Sequence, residues 1–335
     1  MTDPVLIELT RGGRVESRHA GAIALARANG EIVAQAGAIA APVFPRSAVK
    51  AMQAVPLIES GAADRFGFGA AEIALAAASH SGTERHVAVA AGMLARAGLS
   101  VADLGCGAHM PTGEAAARAL IRADVAPTAL NNNCSGKHAG MLATAVHLGE
   151  PTADYWRAAH PVQQRVAGVL EATAGLSLSG VTPGIDGCSL PNWPLPLAAL
   201  AQAFARIGTG EGLPPGRART FRRIMEACWA EPDMMAGPGR LDTMVLERLP
   251  RQVFLKTGAE GVYCGVFPQL GLGFALKADD GAKRAAEAMT RHLIARLLPG
   301  SGAFADPVLR NWRGLEVGET RPAPALSALL DALPA

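Results

Sequence analysis

Lysine is scarce in this chain, with five residues against twenty-six arginines in a total of 335. Where positive charge alone is wanted, the sequence uses arginine. A lysine ammonium can lose its proton when desolvated, whereas a guanidinium effectively cannot. Lysines kept inside chemically dense segments therefore point to neutral amines acting as bases or ligands. Three of the five, Lys50, Lys137 and Lys256, sit in such segments.

Other features are missing too. There is no lysine/arginine run and the net charge is only +2, so composition offers no case for nucleic acid. The apolar stretches are alanine-rich and broken by charge within about 18 residues, so no membrane span is expected. Met1-Thr2-Asp3-Pro4 lacks a basic start followed by an apolar run, and no secretory signal is expected. The five cysteines (106, 134, 188, 228 and 264) are an odd number without a CxxC pair. That argues against a disulfide framework and fits a reducing cytoplasm. No internal repeat or low-complexity linker appears, so a single domain over residues 1–335 is expected.

What is present reads as strands at both ends with helices between. Residues 5–10, 20–27 and 31–37 have strand character, the last two flanking an Asn29-Gly30 turn. From 47 to about 298, apolar residues mostly recur at helical spacing, as in 71–78, 86–97, 140–148 and 162–174. Strand character returns at 252–256, 261–266 and 271–277, before a helix over 282–298. The stretch 299–335 is rich in proline and glycine, with one expected strand at 314–318. The expected fold is mixed α/β (α+β), an antiparallel sheet from about 1–45 and 250–335 with a large helical insert over about 46–250.

The chemistry gathers in a few segments. Ser47 and Lys50 form Ser-x-x-Lys just after Pro45, a residue suited to a helix start. This spacing puts hydroxyl and amine on one helical face, where burial would lower the amine pKa and make it a base for Ser47. An ordinary helix start with a snorkelling lysine fits the same residues. Lys256-Thr257-Gly258 on a late strand strengthens the catalytic reading, because serine acyl-transfer enzymes combine Ser-x-x-Lys with Lys-Thr-Gly. Between them, Ser79-His80-Ser81-Gly82 closes an alanine-rich helix and offers a second hydroxyl for proton relay, or simply a helix cap and turn.

The run from Asn131 to His138 opens another helix and is not a phosphate loop, since the first glycine and the Lys-Ser/Thr ending are missing. Cys134 and Lys137 share a helical face, and Gly184-Ile185-Asp186-Gly187-Cys188 adds a second cysteine. Two cysteines, a histidine and an aspartate suit zinc, and equally suit two buried small hydrophobes. Arg240, in Gly239-Arg240-Leu241-Asp242-Thr243, is a candidate clamp for a substrate carboxylate or half of a structural ion pair.

At these residues the chain resembles the rhizobial-type L-asparaginases, the asparaginase II family. The resemblance rests on Arg46-Ser47-x-x-Lys50, Ala78 to Gly82, Asn132 to His138, Gly184 to Cys188, Gly239 to Thr243 and Gly258 to Tyr263, and spans nearly the whole chain. It implies a serine β-lactamase/glutaminase-like fold and a homodimer that hydrolyses L-asparagine to L-aspartate and ammonia. It further implies Ser47 as nucleophile with Lys50, and Ser79 paired with Lys256 as a second catalytic tandem. Zinc on Cys134, Lys137 and Cys188 is implied, as are Arg46, His80, Asn133, Asp186 and Arg240 near the substrate. Thr257 after Lys256, and Thr83, depart from the family pattern without touching a proposed catalytic atom. The expected protein is thus a cytoplasmic serine-type amidohydrolase. Its rivals are a β-lactamase-like or glutaminase-like hydrolase of another amide, and a zinc-binding protein without catalysis.

Overall fold

A computed structural model describes residues 3–300, 304 and 308–333. Its main sheet uses β1 (Val5–Arg11), β2 (Arg14–Ala26), β3 (Ile32–Ala36), β4 (Phe254–Thr257), β5 (Val262–Phe267), β6 (Leu272–Ala278) and β7 (Thr320–Pro322). The order is β7-β1-β2-β6-β5-β4, with β3 also on β2, and every pairing is antiparallel. Strands from the two ends of the chain meet where β2 pairs β6, Ala24 opposite Ala275. The expected mixed α/β architecture, with a sheet drawn from both ends and helices between, is what the chain forms.

Alternation along the strands sorts the side chains onto two faces. Ala22, Ala24, Ala26, Phe254, Cys264 and Ala275 face one apolar core, which holds the helices of the insert. Ile23, Leu25, Leu255, Tyr263, Phe274 and Leu276 face a second core under the helices Lys283–Leu297 and Pro324–Ala332. Three layers result, helices, sheet and helices. The insert-facing side of β2 and β6 is lined by small residues because the helix Leu197–Thr209 lies directly against it. A β-carbon on Gly273 would stand 2.1 Å from the Ala201 carbonyl oxygen and 2.3 Å from the Ala205 nitrogen.

Several expectations need correction. β2 begins at Arg14 instead of residue 20, because Gly12 and Gly13, both with positive φ, turn the chain back at once. The resulting thirteen-residue strand bridges β1 and β6. The helix expected to open in the Asn131–His138 run is found as Ser135–His147. Beyond 299, part of which lies outside the described residues, the one expected strand at 314–318 is found as Glu316–Gly318. β7 and the Pro324–Ala332 helix accompany it. Proline and glycine suggested loops there; Pro324 instead occupies the first helical position, where its missing N–H costs nothing.

The close approach at Gly273 generates a prediction. Gly273→Ala must push helix and sheet apart and should lower unfolding free energy by about 1–3 kcal/mol in chemical denaturation, the usual size of an overpacking penalty. An unchanged midpoint would contradict the packing described.

Candidate active site

Ser47 lies in the short 3-10 turn Arg46–Val49, which runs into one helical turn, Lys50–Gln53. The element is too short for a substantial helix dipole. The turn packs instead against the β4–β5 hairpin. A β-carbon on Gly258 would lie 2.6 Å from the Pro45 carbonyl oxygen and 3.4 Å from the Ala48 nitrogen. The Ser-x-x-Lys and Lys-Thr-Gly segments therefore touch, and glycine is what lets them. Arg46 has φ +53, a left-handed conformation uncommon for a side-chain-bearing residue. It is held there by its own amide donating to Asn192 Oδ1 (3.3 Å) and by Nε donating to Asp186 Oδ1 (2.6 Å). The partly accessible Ser47 hydroxyl follows immediately and makes no side-chain hydrogen bond among the described residues.

Lys50 is fully buried and its amine does not pair with Ser47. It donates to the Ala78 carbonyl (2.5 Å) and lies 2.9 Å from Ser79 Oγ, 3.1 Å from Cys134 Sγ and 3.5 Å from the Asn133 carbonyl. The expected tandem of Ser79 with Lys256 is replaced by Ser79 with Lys50. The reason is local. The helix Ala70–Ala76 ends just before Ser79, and the Ser79 amide is tied to the Met235 carbonyl (3.0 Å), which turns the hydroxyl toward Lys50. Desolvation lowers the Lys50 pKa, with the nearby Lys137 charge adding to it and Cys134 opposing. When the amine is neutral, its lone pair can accept the Ser79 proton.

Lys256 shares the Phe254 side of β4, so its amine enters the insert side of the sheet. It donates to the Thr257 carbonyl (2.9 Å) and lies 3.8 Å from Asp242 Oδ1. Asp242 also accepts from the Thr257 amide (2.8 Å) and the Tyr263 hydroxyl (2.7 Å). Burial carries the Lys256 pKa down to about 7, with Asp242 holding it from falling further. Arg240 does not pair with its neighbour Asp242, and its Nε is buried with no partner.

Cys134, Lys137 and Cys188 do converge. Lys137 Nζ is 3.1 Å from Cys188 Sγ, and Asp186 Oδ2 lies 3.9 Å from the same sulfur. A shared thiol proton, raising Cys134 to about 12 and lowering Cys188 to about 5, leaves Cys188 as the thiolate facing Lys137. Burial disfavours the Lys137 charge, but Cys134, Cys188 and Asp186 outweigh it and raise its pKa. His138 Nδ1 lies 2.5 Å from the Tyr155 hydroxyl oxygen, and its Nε2 is buried without a partner. Among the described residues no three His, Cys, Asp or Glu side chains form a metal cluster, but the set here is two sulfurs and an amine. Two soft, buried sulfurs, an amine and a nearby orphan imidazole nitrogen fit a borderline-soft ion such as zinc.

His80 is placed differently from expectation. Its Nδ1 accepts from the Gly82 amide (3.1 Å) and its Nε2 lies 2.9 Å from Ser135 Oγ, so both ring nitrogens are engaged inside the protein. Asn133 contributes its backbone: the amide donates to His109 Nε2 (3.1 Å) and the carbonyl receives the His80 amide (3.2 Å). Sequence reasoning missed His109, Tyr155 and Tyr263. A usable signal existed for the tyrosines, since the chain has only two and both are buried with their hydroxyls on site residues.

A family model described as L-asparaginase II matches residues 7–322. No curated protein matches the chain. Among solved structures, one titled "Crystal structure of Mglu in its native form in the presence of 4.3M NaCl" is 14% identical with a TM-score of 0.42, covering 85% of this chain and 63% of that one. Another, "Crystal Structure Analysis of Mglu in its native form", is 16% identical with a TM-score of 0.39, covering 85% and 67%. The chain thus spans less than two thirds of the first of these.

The pairing of Lys256 with Asp242 is testable. Asp242→Asn removes the charge that props up the Lys256 pKa, so Lys256 should titrate below about 7. Lysine-specific labelling of purified protein across pH 5–9 reads this directly, and an upward or absent shift would contradict the pairing.

Proposed function

The chain belongs to the asparaginase II family, and from that premise we propose that it hydrolyses L-asparagine to L-aspartate and ammonia through a serine–lysine centre. The observation that carries this reading is the buried Lys50 amine, bonded to Ser79 one turn from the accessible Ser47. Ser47 attacks the side-chain amide carbon, and a neutral lysine takes its proton. Lys50, reached from Ser47 through a relay by the Ser79 hydroxyl to which it is hydrogen-bonded, is the first base; Lys256, held near neutrality beside Asp242, is the second. Backbone amides at the start of the Ser47 turn stabilise the oxyanion. The tetrahedral adduct collapses to an acyl-enzyme as the C–N bond breaks and the lysine returns its proton to the departing ammonia, and water then releases aspartate. The 2.9 Å contact of Ser79 with Lys50 favours one second reading, in which Ser79 is itself the nucleophile.

Zinc would be held by Cys134, Lys137 and Cys188, with Asp186 and His138 close by. When bound it supplies a Lewis acid that orients and polarises substrate. Arg46 and Arg240 are the substrate-facing guanidiniums. The touching Ser-x-x-Lys and Lys-Thr-Gly segments support a fold of the serine β-lactamase/glutaminase kind, and we assign a single domain. A homodimer and a cytoplasmic location complete the reading. No described helix is long and apolar enough to cross a membrane.

Ser47→Ala and Lys50→Met should each remove ammonia release from asparagine, while Lys50→Arg should be nearly as damaging because arginine keeps charge but is no base. Restoration by arginine would make Lys50 a fixed cation and overturn the mechanism. For the metal, elemental analysis should find zinc, released as pH falls and its ligands take up protons. Cys134→Ser and Cys188→Ser should raise KM more than they lower kcat. A collapse of kcat at constant KM would instead make the metal catalytic.

A further inference from the structure

We propose that the pocket beside the Ser47 turn receives the zwitterionic head of an α-amino acid, with Glu260 facing its ammonium and Lys277 its carboxylate. The inference rests on the amidohydrolase reading and names the part of the substrate that the serine–lysine centre does not touch.

The pocket has a volume of about 400 Å³, within the range of small-molecule sites. Its lining combines Arg46 and Asn192, both anchoring the Ser47 turn, with the exposed apolar side chains Phe44 and Ile185. Charge on Arg46 is already matched by Asp186. That leaves two charged groups of opposite sign, Glu260 and Lys277. Among the described residues Glu260 makes no side-chain hydrogen bond or ion pair, and Lys277 donates only to the Ala278 carbonyl. They do not bridge each other, and although the Asp279 and Asp280 carboxylates lie near enough to feel the Lys277 charge, neither forms an ion pair with it among the described residues, so Glu260 and Lys277 both remain open to a ligand carrying both signs.

The fold holds them at the end of the sheet that abuts Ser47. Lys277 lies opposite Val262 in the β5–β6 ladder, and the Ala278 amide donates to the Gly261 carbonyl (2.9 Å). Glu260 sits in the 258–261 turn, whose Gly258 touches Pro45 and Ala48. It has φ +58, a conformation that turn chemistry gives to glycine or asparagine. A glutamate accepts backbone strain there, and strain of this kind gathers at ligand sites. A zwitterion uses both charges at once, whereas a simple amide would leave each without a charged partner.

The experiment measures binding of three probes to purified full-length protein by calorimetry: L-aspartate, succinate, which lacks the ammonium, and β-alanine, which lacks the α-carboxylate. Glu260→Gln should weaken aspartate about tenfold and leave succinate unchanged, and Lys277→Met should weaken aspartate about tenfold and leave β-alanine unchanged, each losing one charge-assisted contact. Circular dichroism and melting confirm that each variant is folded. Unchanged aspartate affinity in the variants, parallel loss of the probes, or no aspartate binding by the wild type would each overturn the proposal. The reading it rests on fails separately, if wild-type protein releases no ammonia from asparagine while the binding pattern holds.

Discussion

Burial of the Lys50 amine is the constraint around which the site is organised. A lysine taken wholly out of water must either lose its proton or find several acceptors, since an unpaired buried charge is costly. Lys50 is given acceptors from two segments far apart in sequence, Ala78 and Ser79 after one helix and Asn133 and Cys134 before another. Misplacing either segment strands the amine. The same contacts set the chemistry, because burial lowers the pKa of the amine and so favours the neutral form that can take a proton from a serine. Stability and function thus make the same demand on this residue.

The layers of the fold deliver that arrangement. Small side chains on the insert-facing side of β2 and β6 let the Leu197–Thr209 helix sit tightly on the sheet. Strand alternation points Lys256 into the insert, and Gly258 lets the Ser47 turn lie on the β4–β5 hairpin. The Arg46–Asp186 ion pair then joins that turn to the Gly184–Cys188 segment, which carries Cys188 to Lys137. Sheet, turn and sulfur pair are successive links of one assembly.

The layout was legible in the sequence where a local rule decides it. Strand character located β4 to β6, and helical spacing located the helices at 84–96 and 161–174, near their observed bounds. Scarcity of lysine marked Lys50, Lys137 and Lys256, all three of which are buried. Partner choice was not legible. Ser-x-x-Lys spacing suggests that Lys50 faces Ser47, but the helix lasts one turn and the amine reaches instead to Ser79. The partners of Asp242, Lys256 and Tyr263 lie on different elements, and no spacing encodes such contacts. Proline and glycine past residue 299 concealed a strand and a helix, because both residues also serve at helix starts and turns.

The central claim is that Ser47, one turn from the buried Lys50, carries the acyl group. Its most direct test is mass spectrometry of protein acid-quenched during turnover of asparagine, followed by peptide mapping. The account predicts an aspartyl ester on the peptide containing Ser47, absent from Ser47→Ala. An ester on Ser79, or turnover with no covalent species under rapid quenching, would contradict it.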